Sequence, residues 1–280
     1  MSETVRDLLG DAVSRLRHLD TANLDAEVLL AFTLQISRGD LFAHPEKPVP
    51  PGAAADFYSL ISKRSRHFPI AYLTGIREFW SLALSVSQDT LIPRPETEVL
   101  VEAALSMIPR DAPFNILDLG TGTGAVAIAI SSERPHCRIT ASDISPEALS
   151  MARNNAIRHG MGNIEFRKSD WFSDFSGKVF DMIVCNPPYI DTRDRCFQSG
   201  DLYYEPRVAL DGGYLGMNTI NHIIPSAPEY LKPGGGLILE HGFDQGESVR
   251  YLFSANSYTG ITTRLDYSGH ERITIARNRR

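Results

Sequence analysis

The stretch "ILDLGTGTGAVAIAI" (116–130) decides the fold. It joins an apolar strand-like run to an apolar helical run through glycines at positions 120, 122 and 124. Glycine lets the backbone approach a ligand closely, and the first N–H groups of a helix have no partner within the helix. In α/β domains the first strand-to-helix turn is a common nucleotide site. The stretch therefore predicts the first unit of an α/β domain, with a ligand at its turn.

Short β-rich runs alternate with helical runs from residue 114 onward. The predicted strands cover 114–119, 138–142, 164–167, 180–185 and 236–240. The predicted helices cover about 124–134, 145–159, 216–231 and 245–255. Such alternation is typical of a parallel, doubly wound sheet. The last two β-rich segments, 261–267 and 272–278, predict an antiparallel hairpin that closes the sheet.

The chain before this α/β part predicts a small helical bundle. Apolar residues recur at helical spacing within 4–19, 24–34 and 53–66. The predicted organisation is a helical domain at 1–75, a β-hairpin linker at 76–92 and an α/β domain at 93–280. Because the first domain contains no cluster of catalytic side chains, we interpret it as a packing or partner-docking module.

Composition narrows the class of protein. The net charge is −6 and no run of Lys or Arg stands out, which weakly disfavours a tight binder of nucleic-acid backbones. The three cysteines form no CxxC pair, so we expect neither a disulfide framework nor a zinc site. No apolar stretch reaches the length of a membrane span, and acidic residues near the N-terminus argue against a targeting peptide. We therefore expect a cytoplasmic protein without membrane contact or metal.

Asp143 indicates which ligand the glycine loop binds. It ends the second predicted strand, nineteen residues after Gly124, where a carboxylate can accept hydrogen bonds from two ribose hydroxyls. The spacing G-T-G-T-G differs from the G-x-G-x-x-G of dinucleotide sites, and Asp118 would repel a diphosphate. An adenosyl ligand without phosphates and with a cationic amino-acid end suits this loop better. S-adenosyl-L-methionine is therefore favoured over NAD.

The third strand is followed by Ser169-Asp170-Trp171, whose acid and aromatic ring can hydrogen-bond to and flank an adenine ring. The alternative is a capping Asp170 and a core Trp171. The predicted cofactor-binding residues are Gly120, Thr121, Gly122, Thr123, Gly124, Asp143, Trp171 and Asn186.

The tetrapeptide Asn186-Pro187-Pro188-Tyr189 follows the fourth strand, at the end of the sheet where ligands bind in open α/β folds. The side-chain carbonyl of Asn186 and the backbone carbonyl of Pro187 can each accept one N–H of a substrate NH₂ group. Pro188 fixes the direction of the Pro187 carbonyl, and the ring of Tyr189 can pack on a planar substrate group. These four residues are the predicted catalytic residues; the alternative is a rigid turn that only ends a strand.

Eight stretches occur in the order typical of one known family. They are "FPIAYLTGIREFW" (68–80), "LIPRPETEVLVE" (91–102), "ILDLGTGTGAVAIA" (116–129), "DISPEAL" (143–149), "SDWF" (169–172), "VCNPPYI" (184–190), "EPRVALDGG" (205–213) and "LKPGGGLILEHGFDQGE" (231–247). On these residues the chain resembles the protein-(glutamine-N5) methyltransferases that modify peptide chain release factors. The NPPY tetrapeptide alone is shared with DNA adenine and some ribosomal RNA methyltransferases.

The resemblance implies a class I S-adenosylmethionine-dependent methyltransferase fold and a helical domain that engages the release factor. It implies methylation of the glutamine in the Gly-Gly-Gln motif of class 1 release factors, with S-adenosyl-L-homocysteine as product. It also assigns the cofactor and substrate-amide roles to the residues named above, and makes Glu96 and Thr97 border the methionine end. A monomer without direct nucleic-acid contact is expected. The segments 192–204 and 213–223 depart from the family pattern.

Three other functions fit part of the sequence. A nucleic-acid amine methyltransferase would use the same NPPY chemistry on adenine N6 or ribosomal RNA, but would need a basic channel for a flipped base. A catalytically idle adaptor that binds S-adenosylmethionine would not need an intact NPPY. A Rossmann dehydrogenase would need a different glycine spacing.

Overall fold

The computed structural model describes residues 3–279 and divides the chain into two compact units. Unit 1 contains the described residues up to Ile76 and the segment Arg195–Tyr204, and unit 2 contains the rest. The boundaries predicted from sequence ended the helical domain at 75 and left Arg195–Tyr204 in the α/β domain. Residues 1, 2 and 280, which the predicted ranges include, lie outside the described part of the chain.

Unit 1 consists mainly of helices around a core of buried aliphatic and aromatic side chains that includes Leu8, Leu29 and Phe57. Its helices are α1 (Val5–Leu16), α2 (Ala22–Leu34), α3 (Arg38–Ala43), α4 (Pro51–Arg64) and α5 (Ile70–Thr74). Capping boxes at Thr4 and Ser37 start α1 and α3, because each side chain accepts a free backbone N–H of the first turn. The sequence predicted α1, α2 and α4, whereas α3 and α5 are too short to show helical periodicity.

The buried Arg64 side chain joins the segment Arg195–Tyr204 to the helices of unit 1. The Arg64 side chain is 7% exposed, and its Nε donates to Asp25 Oδ2 at 2.7 Å. Its Nη1 lies 2.9 Å from both carboxylate oxygens of Asp201. The Tyr204 ring packs edge-on against Phe68, with 5.0 Å between ring centroids. Unit 1 is therefore built from two stretches that are far apart along the chain.

Unit 2 contains a seven-stranded sheet and a separate two-stranded one. The strands of this part of the chain are β1 (Ile76–Phe79), β2 (Leu82–Ser85), β3 (Asn115–Leu119), β4 (Arg138–Asp143), β5 (Ile164–Lys168), β6 (Phe180–Cys185), β7 (Leu231–Glu240), β8 (Tyr258–Leu265) and β9 (Glu271–Asn278). Its helices are α6 (Glu98–Met107), α7 (Ala125–Glu133), α8 (Pro146–Arg158), α9 (Asn218–Ser226) and α10 (Gly246–Ala255).

The order of the large sheet is β5-β4-β3-β6-β7-β9-β8, parallel from β5 to β7 and antiparallel at β9 and β8. The predicted doubly wound sheet with a C-terminal antiparallel hairpin is confirmed. The predicted hairpin at 76–92 forms as β1 and β2, and its strands end at Ser85.

Two apolar clusters cover the sheet. One includes residues of α6 and α7, and the other includes residues of α9 and α10. The strand order changes direction between β3 and β6, where a crevice opens at the carboxyl ends of the strands. The loops after Leu119 and Cys185 therefore reach the same edge of the sheet. Among residues 3–279 no helix is both long and apolar enough to cross a membrane.

Candidate active site

The glycine loop after β3 has a backbone that suits glycine at three positions. Gly120, Gly122 and Gly124 have φ angles of +70°, +56° and +82°, in the region that L side chains rarely adopt. A Cβ on Gly124 would lie 3.0 Å from Ile128 Cδ1 and 3.1 Å from Ala152 Cβ, so this glycine also permits close packing of α7 on α8. Gly120 and Gly122 instead line a cavity.

The two threonines of the loop stabilise its shape and are not among the residues that line the cavity. The Thr121 hydroxyl donates to Asp118 Oδ2 at 2.6 Å, and the Thr123 carbonyl accepts from Asn155 Nδ2 at 3.0 Å. Both side chains are buried. The structure thus brings Gly120 and Gly122 to the cavity and leaves Thr121, Thr123 and Gly124 behind it.

Asp143, at the end of β4, lines the same cavity and is tied to the loop. Its Oδ2 accepts from the Gly122 N–H at 2.9 Å, and its Oδ1 accepts from the Ser145 N–H at 3.0 Å. Burial raises the pKa of Asp143, against the lowering effect of these backbone hydrogen bonds. Each carboxylate oxygen retains a second lone pair, so hydroxyl groups in the cavity can still donate to it.

A second carboxyl, Asp118, lies behind the loop and is buried. Burial raises its pKa to about 7; the hydrogen bond from Thr121 opposes this shift, and the negative charge of Asp143 adds to it. Two acids beside the glycine loop, Asp118 on β3 and Asp143 at the end of β4, make this end of the cavity unfavourable for phosphate groups.

Trp171 lies beside the glycine loop. Its φ is +48°, and ring atom Cζ3 would be 3.7 Å from a Cβ placed on Gly120. The Ser169 hydroxyl donates to the Trp171 carbonyl at 2.8 Å, which helps to hold this turn. Trp171 and Asp170 both line the cavity. Trp171 also packs at the edge of an apolar cluster, so the two interpretations of this residue are compatible.

Asn186 and Pro188 bring the end of β6 into the cavity, whereas Pro187 and Tyr189 are not among its lining residues. The Asn186 Nδ2 donates to Thr97 Oγ1 at 3.2 Å, which leaves the side-chain carbonyl available. The Tyr189 hydroxyl donates to Glu240 Oε1 at 3.1 Å. The predicted tetrapeptide is thus anchored at both ends.

The cavity has a volume of about 640 Å³. Besides the residues above, it is lined by the stretch 89–91 and by side chains within 206–211. Sequence reasoning assigned no role to either stretch, although 206–211 lies within one of the motifs that carry the family resemblance. The structure describes no cluster of three or more His, Cys, Asp or Glu side chains able to hold a metal within residues 3–279.

Two residues that were not predicted from the sequence hold the tetrapeptide in place. Glu240 ends β7, is buried, and has a pKa raised to about 7 by burial. The Gln245 Nε2 donates to the Tyr189 carbonyl at 2.9 Å and to the Leu215 carbonyl at 3.0 Å. The available signal was that a carboxylate ends the apolar run "LILE" (237–240) at the same edge of the sheet as Asn186.

Two family models match the chain. The first, "Methyltransferase small domain", matches residues 96–199, and the second, "PrmC N-terminal domain", matches residues 7–75. Among solved structures, a methyltransferase from Pyrococcus furiosus has a TM-score of 0.53 at 19% identity, covering 71% of this chain and 89% of that one. That similarity concerns the fold alone.

Curated relatives extend the match to nearly the whole chain. The release factor glutamine methyltransferase of Salmonella typhimurium is 47% identical over 96% of this chain and 97% of its own length. The protein of the same description from Escherichia coli strain K12 is 46% identical with the same coverage. The chain therefore belongs to the family of release factor glutamine methyltransferases.

Proposed function

We propose that this chain transfers a methyl group from S-adenosyl-L-methionine to the side-chain amide nitrogen of the glutamine in the Gly-Gly-Gln motif of class 1 release factors. One observation carries the proposal: the glycine loop, Asp143 and Asn186 line a single cavity. Relatives named for this activity, at 46–47% identity, support the same conclusion.

The residues of the cavity fit the cofactor. A volume of about 640 Å³ is ordinary for a pocket that takes a nucleoside-sized ligand. Gly120 and Gly122 would leave room for the amino-acid end, Asp143 would accept from ribose hydroxyls, and Trp171 would flank the base. The acids beside the loop, Asp118 and Asp143, favour a ligand without phosphates. When bound, S-adenosylmethionine supplies an electrophilic methyl group on a positively charged sulfur.

Asn186 orients the substrate amide. Because its Nδ2 is engaged by Thr97, its Oδ1 is the end that can accept a substrate N–H. The Pro187 carbonyl can accept the other N–H, and Pro188 restricts the direction of that carbonyl. Two acceptors on one NH₂ group direct the nitrogen lone pair and stabilise positive charge as it develops. The nitrogen loses a proton to water after methyl transfer, so no strong general base is required.

The ring of Tyr189 would form one wall of the site that holds the planar substrate amide. Its hydroxyl is held by Glu240 and its carbonyl by Gln245, so the ring has a fixed position. Catalysis then consists of orientation and electrostatic stabilisation. Orientation supplies roughly 7–11 kcal/mol in favourable cases, and a preorganised polar contact is worth on the order of 10²–10³ in rate.

We further propose that unit 1 docks the release factor, as the resemblance implies, and that the enzyme acts in the cytoplasm, where translation factors work. Unit 1 exposes Phe32 and Phe42, side chains suited to contact with a protein partner.

The test is incorporation of labelled methyl from S-adenosylmethionine. A release factor, its variant with Gly-Gly-Ala in place of Gly-Gly-Gln, duplex DNA and ribosomal RNA are offered separately. We expect label on the unaltered release factor alone. Label on DNA or RNA would show that the proposed substrate is wrong, although the proposed cofactor would stand. Equal labelling of both release factors would contradict the assignment of the glutamine as the methylated residue.

A further inference from the structure

Two exposed apolar side chains lie in a turn that has no role in the function proposed so far. Tyr214 is 65% exposed and Leu215 is 54% exposed, and both belong to the 3-10 turn Tyr214–Gly216. The turn lies within 213–223, a segment that departs from the family pattern. Neither residue is among those that line the cavity. Cofactor binding therefore does not account for these two residues, which are called the exposed pair below.

Leu215 has a backbone conformation that a leucine rarely adopts. Its φ is +53° and its ψ is +17°, in the left-handed region, where the Cβ of an L residue crowds the following carbonyl oxygen. Burial of the side chain does not offset this cost, because more than half of it is exposed. Strain of this kind persists only where the surrounding structure holds it, and it is concentrated at functional sites. The strain at Leu215 therefore points to a function for this turn.

Two side chains hold Leu215 in its conformation. Asp191 Oδ2 accepts from the Leu215 N–H at 3.0 Å, and Gln245 Nε2 donates to the Leu215 carbonyl at 3.0 Å. Gln245 is itself buried and fixed, because its Oε1 accepts from the Gly242 N–H at 2.8 Å. Asp191 is fixed by Arg193, whose Nε and Nη2 donate to its two carboxylate oxygens at 2.9 and 2.6 Å. The backbone on both sides of Leu215 is thus held in one position.

The same group of residues holds Tyr214. Arg193 Cζ lies 4.9 Å from the centroid of the Tyr214 ring, and a cation over the face of an aromatic ring is attracted to it. Because Asp191 pairs with this guanidinium, the charge of Arg193 is balanced. The exposed pair therefore offers a partner a rigid and mainly apolar contact, and a rigid contact loses little conformational entropy on binding.

The exposed pair is adjacent to the site proposed for the substrate amide. The Gln245 Nε2 lies within 3.0 Å of both the Leu215 and the Tyr189 carbonyl oxygens. A Cβ on Gly216 would overlap the Tyr189 carbonyl oxygen, so the turn and the tetrapeptide meet backbone to backbone. A glutamine whose amide meets Asn186 belongs to a protein chain, and each neighbouring Cα is only about 3.8 Å further on. The residues that flank this glutamine therefore come within reach of the exposed pair.

We propose that Tyr214 and Leu215 bind the residues of the release factor that flank the methylated glutamine. The proposal rests on the proposed function, because it takes the release factor as substrate and Asn186 as the site of its amide. It gives the exposed pair a role in binding the protein substrate, and none in methyl transfer or cofactor binding. The strained conformation of Leu215 then serves to present an apolar side chain in a fixed position beside the substrate amide.

The first test is Leu215→Asn. Asparagine adopts the left-handed conformation more readily than leucine, so this variant keeps the turn and removes the apolar side chain. We expect KM for the release factor to rise roughly fivefold or more, with kcat and S-adenosylmethionine affinity within about twofold. We also expect a Tm equal to or above that of the unaltered chain, whereas loss of a leucine that served only the fold would lower Tm. Unchanged KM overturns the proposal.

The matched control for Leu215→Asn is Leu265→Asn. Leu265 lies on β8, outside the cavity lining, and at 55% exposure it is as accessible as Leu215. The control makes the same chemical change far from the tetrapeptide along the chain, so we expect KM for the release factor to stay within about twofold. An equal rise of KM in both variants would show that the effect is not specific to the turn, and would overturn the proposal.

The second test is Tyr214→Ala, with Tyr251→Ala as its control. Tyr251 lies on α10, outside the cavity lining, and is 72% exposed. Loss of a rigid aromatic contact raises KM for the release factor roughly fivefold or more in Tyr214→Ala, and KM stays within about twofold in Tyr251→Ala. Equal KM values in the two variants contradict a contact at Tyr214.

A binding measurement separates this proposal from the proposed function. Titration calorimetry with S-adenosyl-L-homocysteine present measures the Kd of the release factor without methyl transfer. We expect Kd to rise roughly fivefold or more in Leu215→Asn and Tyr214→Ala, and to stay within about twofold in both controls. Methylation of the release factor with unchanged Kd in these variants overturns the contact surface alone. Absence of release-factor binding to the unaltered chain overturns both proposals.

Discussion

At the scale of single residues, substitution of Asn186 distinguishes an effect on cofactor binding from an effect on methyl transfer. It lines the cavity, but its one described hydrogen bond is to Thr97. We expect Asn186→Ala to lower turnover on the order of 10²–10³-fold or more while S-adenosylmethionine affinity stays within a few-fold. Equilibrium binding and single-turnover methylation measure the two effects. Asn154→Ala, an exposed asparagine on α8, is the control; a large loss of cofactor affinity in Asn186→Ala would mean that its role is binding.

Asp118 predicts a pH dependence of stability. Burial raises its pKa from 3.8 to about 7, so near pH 6 the folded protein retains a proton that the unfolded chain has lost. Its contribution to stability therefore declines as pH rises from about 4 to about 7 and is constant above. The asparagine of Asp118→Asn does not titrate, so the stability of this variant lacks that pH-dependent decline. Relative to the unaltered chain, we expect it to gain on the order of 3 kcal/mol in free energy of unfolding between about pH 5 and pH 8.

Urea unfolding of both proteins across this range measures the difference for Asp118. Parallel pH curves would show that Asp118 titrates normally. Asp143, whose pKa burial also raises, is present in both proteins and largely cancels in the comparison.

At the scale of elements, substitution of Gly124 measures how far the start of α7 depends on a glycine at this position. Gly124→Ala meets both a positive φ and a Cβ placed 3.0–3.1 Å from side chains of α7 and α8. Gly122→Ala has a similar φ but no atom within 4 Å of its Cβ. We expect the first to cost about 3 kcal/mol of unfolding free energy and the second about 1 kcal/mol. Denaturant unfolding compares them, and equal losses would show that backbone strain alone matters.

The strands of the large sheet show which features of the fold could be predicted from the sequence. β6 was predicted to the residue, because its apolar run ends at a polar residue and two prolines. β7 starts at Leu231, five residues before the predicted start, since "KPGGG" (232–236) is typical of a turn. The loop, Asp143, Trp171 and Asn186 could be predicted because each lies at or just after the end of a strand. The two residues that hold Tyr189 in place, Glu240 and Gln245, could not be predicted, because they are 51 and 56 residues away from it along the chain.

At the scale of the whole molecule, unit 1 depends on the segment Arg195–Tyr204. Arg64→Met removes the guanidinium from Asp25, whose side chain is 8% exposed and keeps a hydrogen bond from Thr21. Breaking a buried pair from one side costs about 3–5 kcal/mol. We expect that loss in unfolding free energy, with faster tryptic cleavage after Arg195.

Arg66→Met is the matched control for Arg64→Met, because Arg66 is exposed and its backbone carbonyl still accepts from Tyr204. Equal cleavage rates in the two variants would show that the ion pair does not hold the segment. S-adenosylmethionine binding should be unchanged in both, since the lining residues of the cavity belong to unit 2.

The two-part construction of unit 1 has a consequence for vectorial synthesis on the ribosome. Arg64 and Asp201 are 137 residues apart. At roughly 5–20 residues per second, about 7–27 s pass between their appearance. During that interval β1 to β6 are being made and Asp201 does not yet exist. Of the two carboxylates that pair with Arg64, the N-terminal helices then have only Asp25. The first-made part of this protein is therefore completed only after four of the seven strands of the large sheet have been translated.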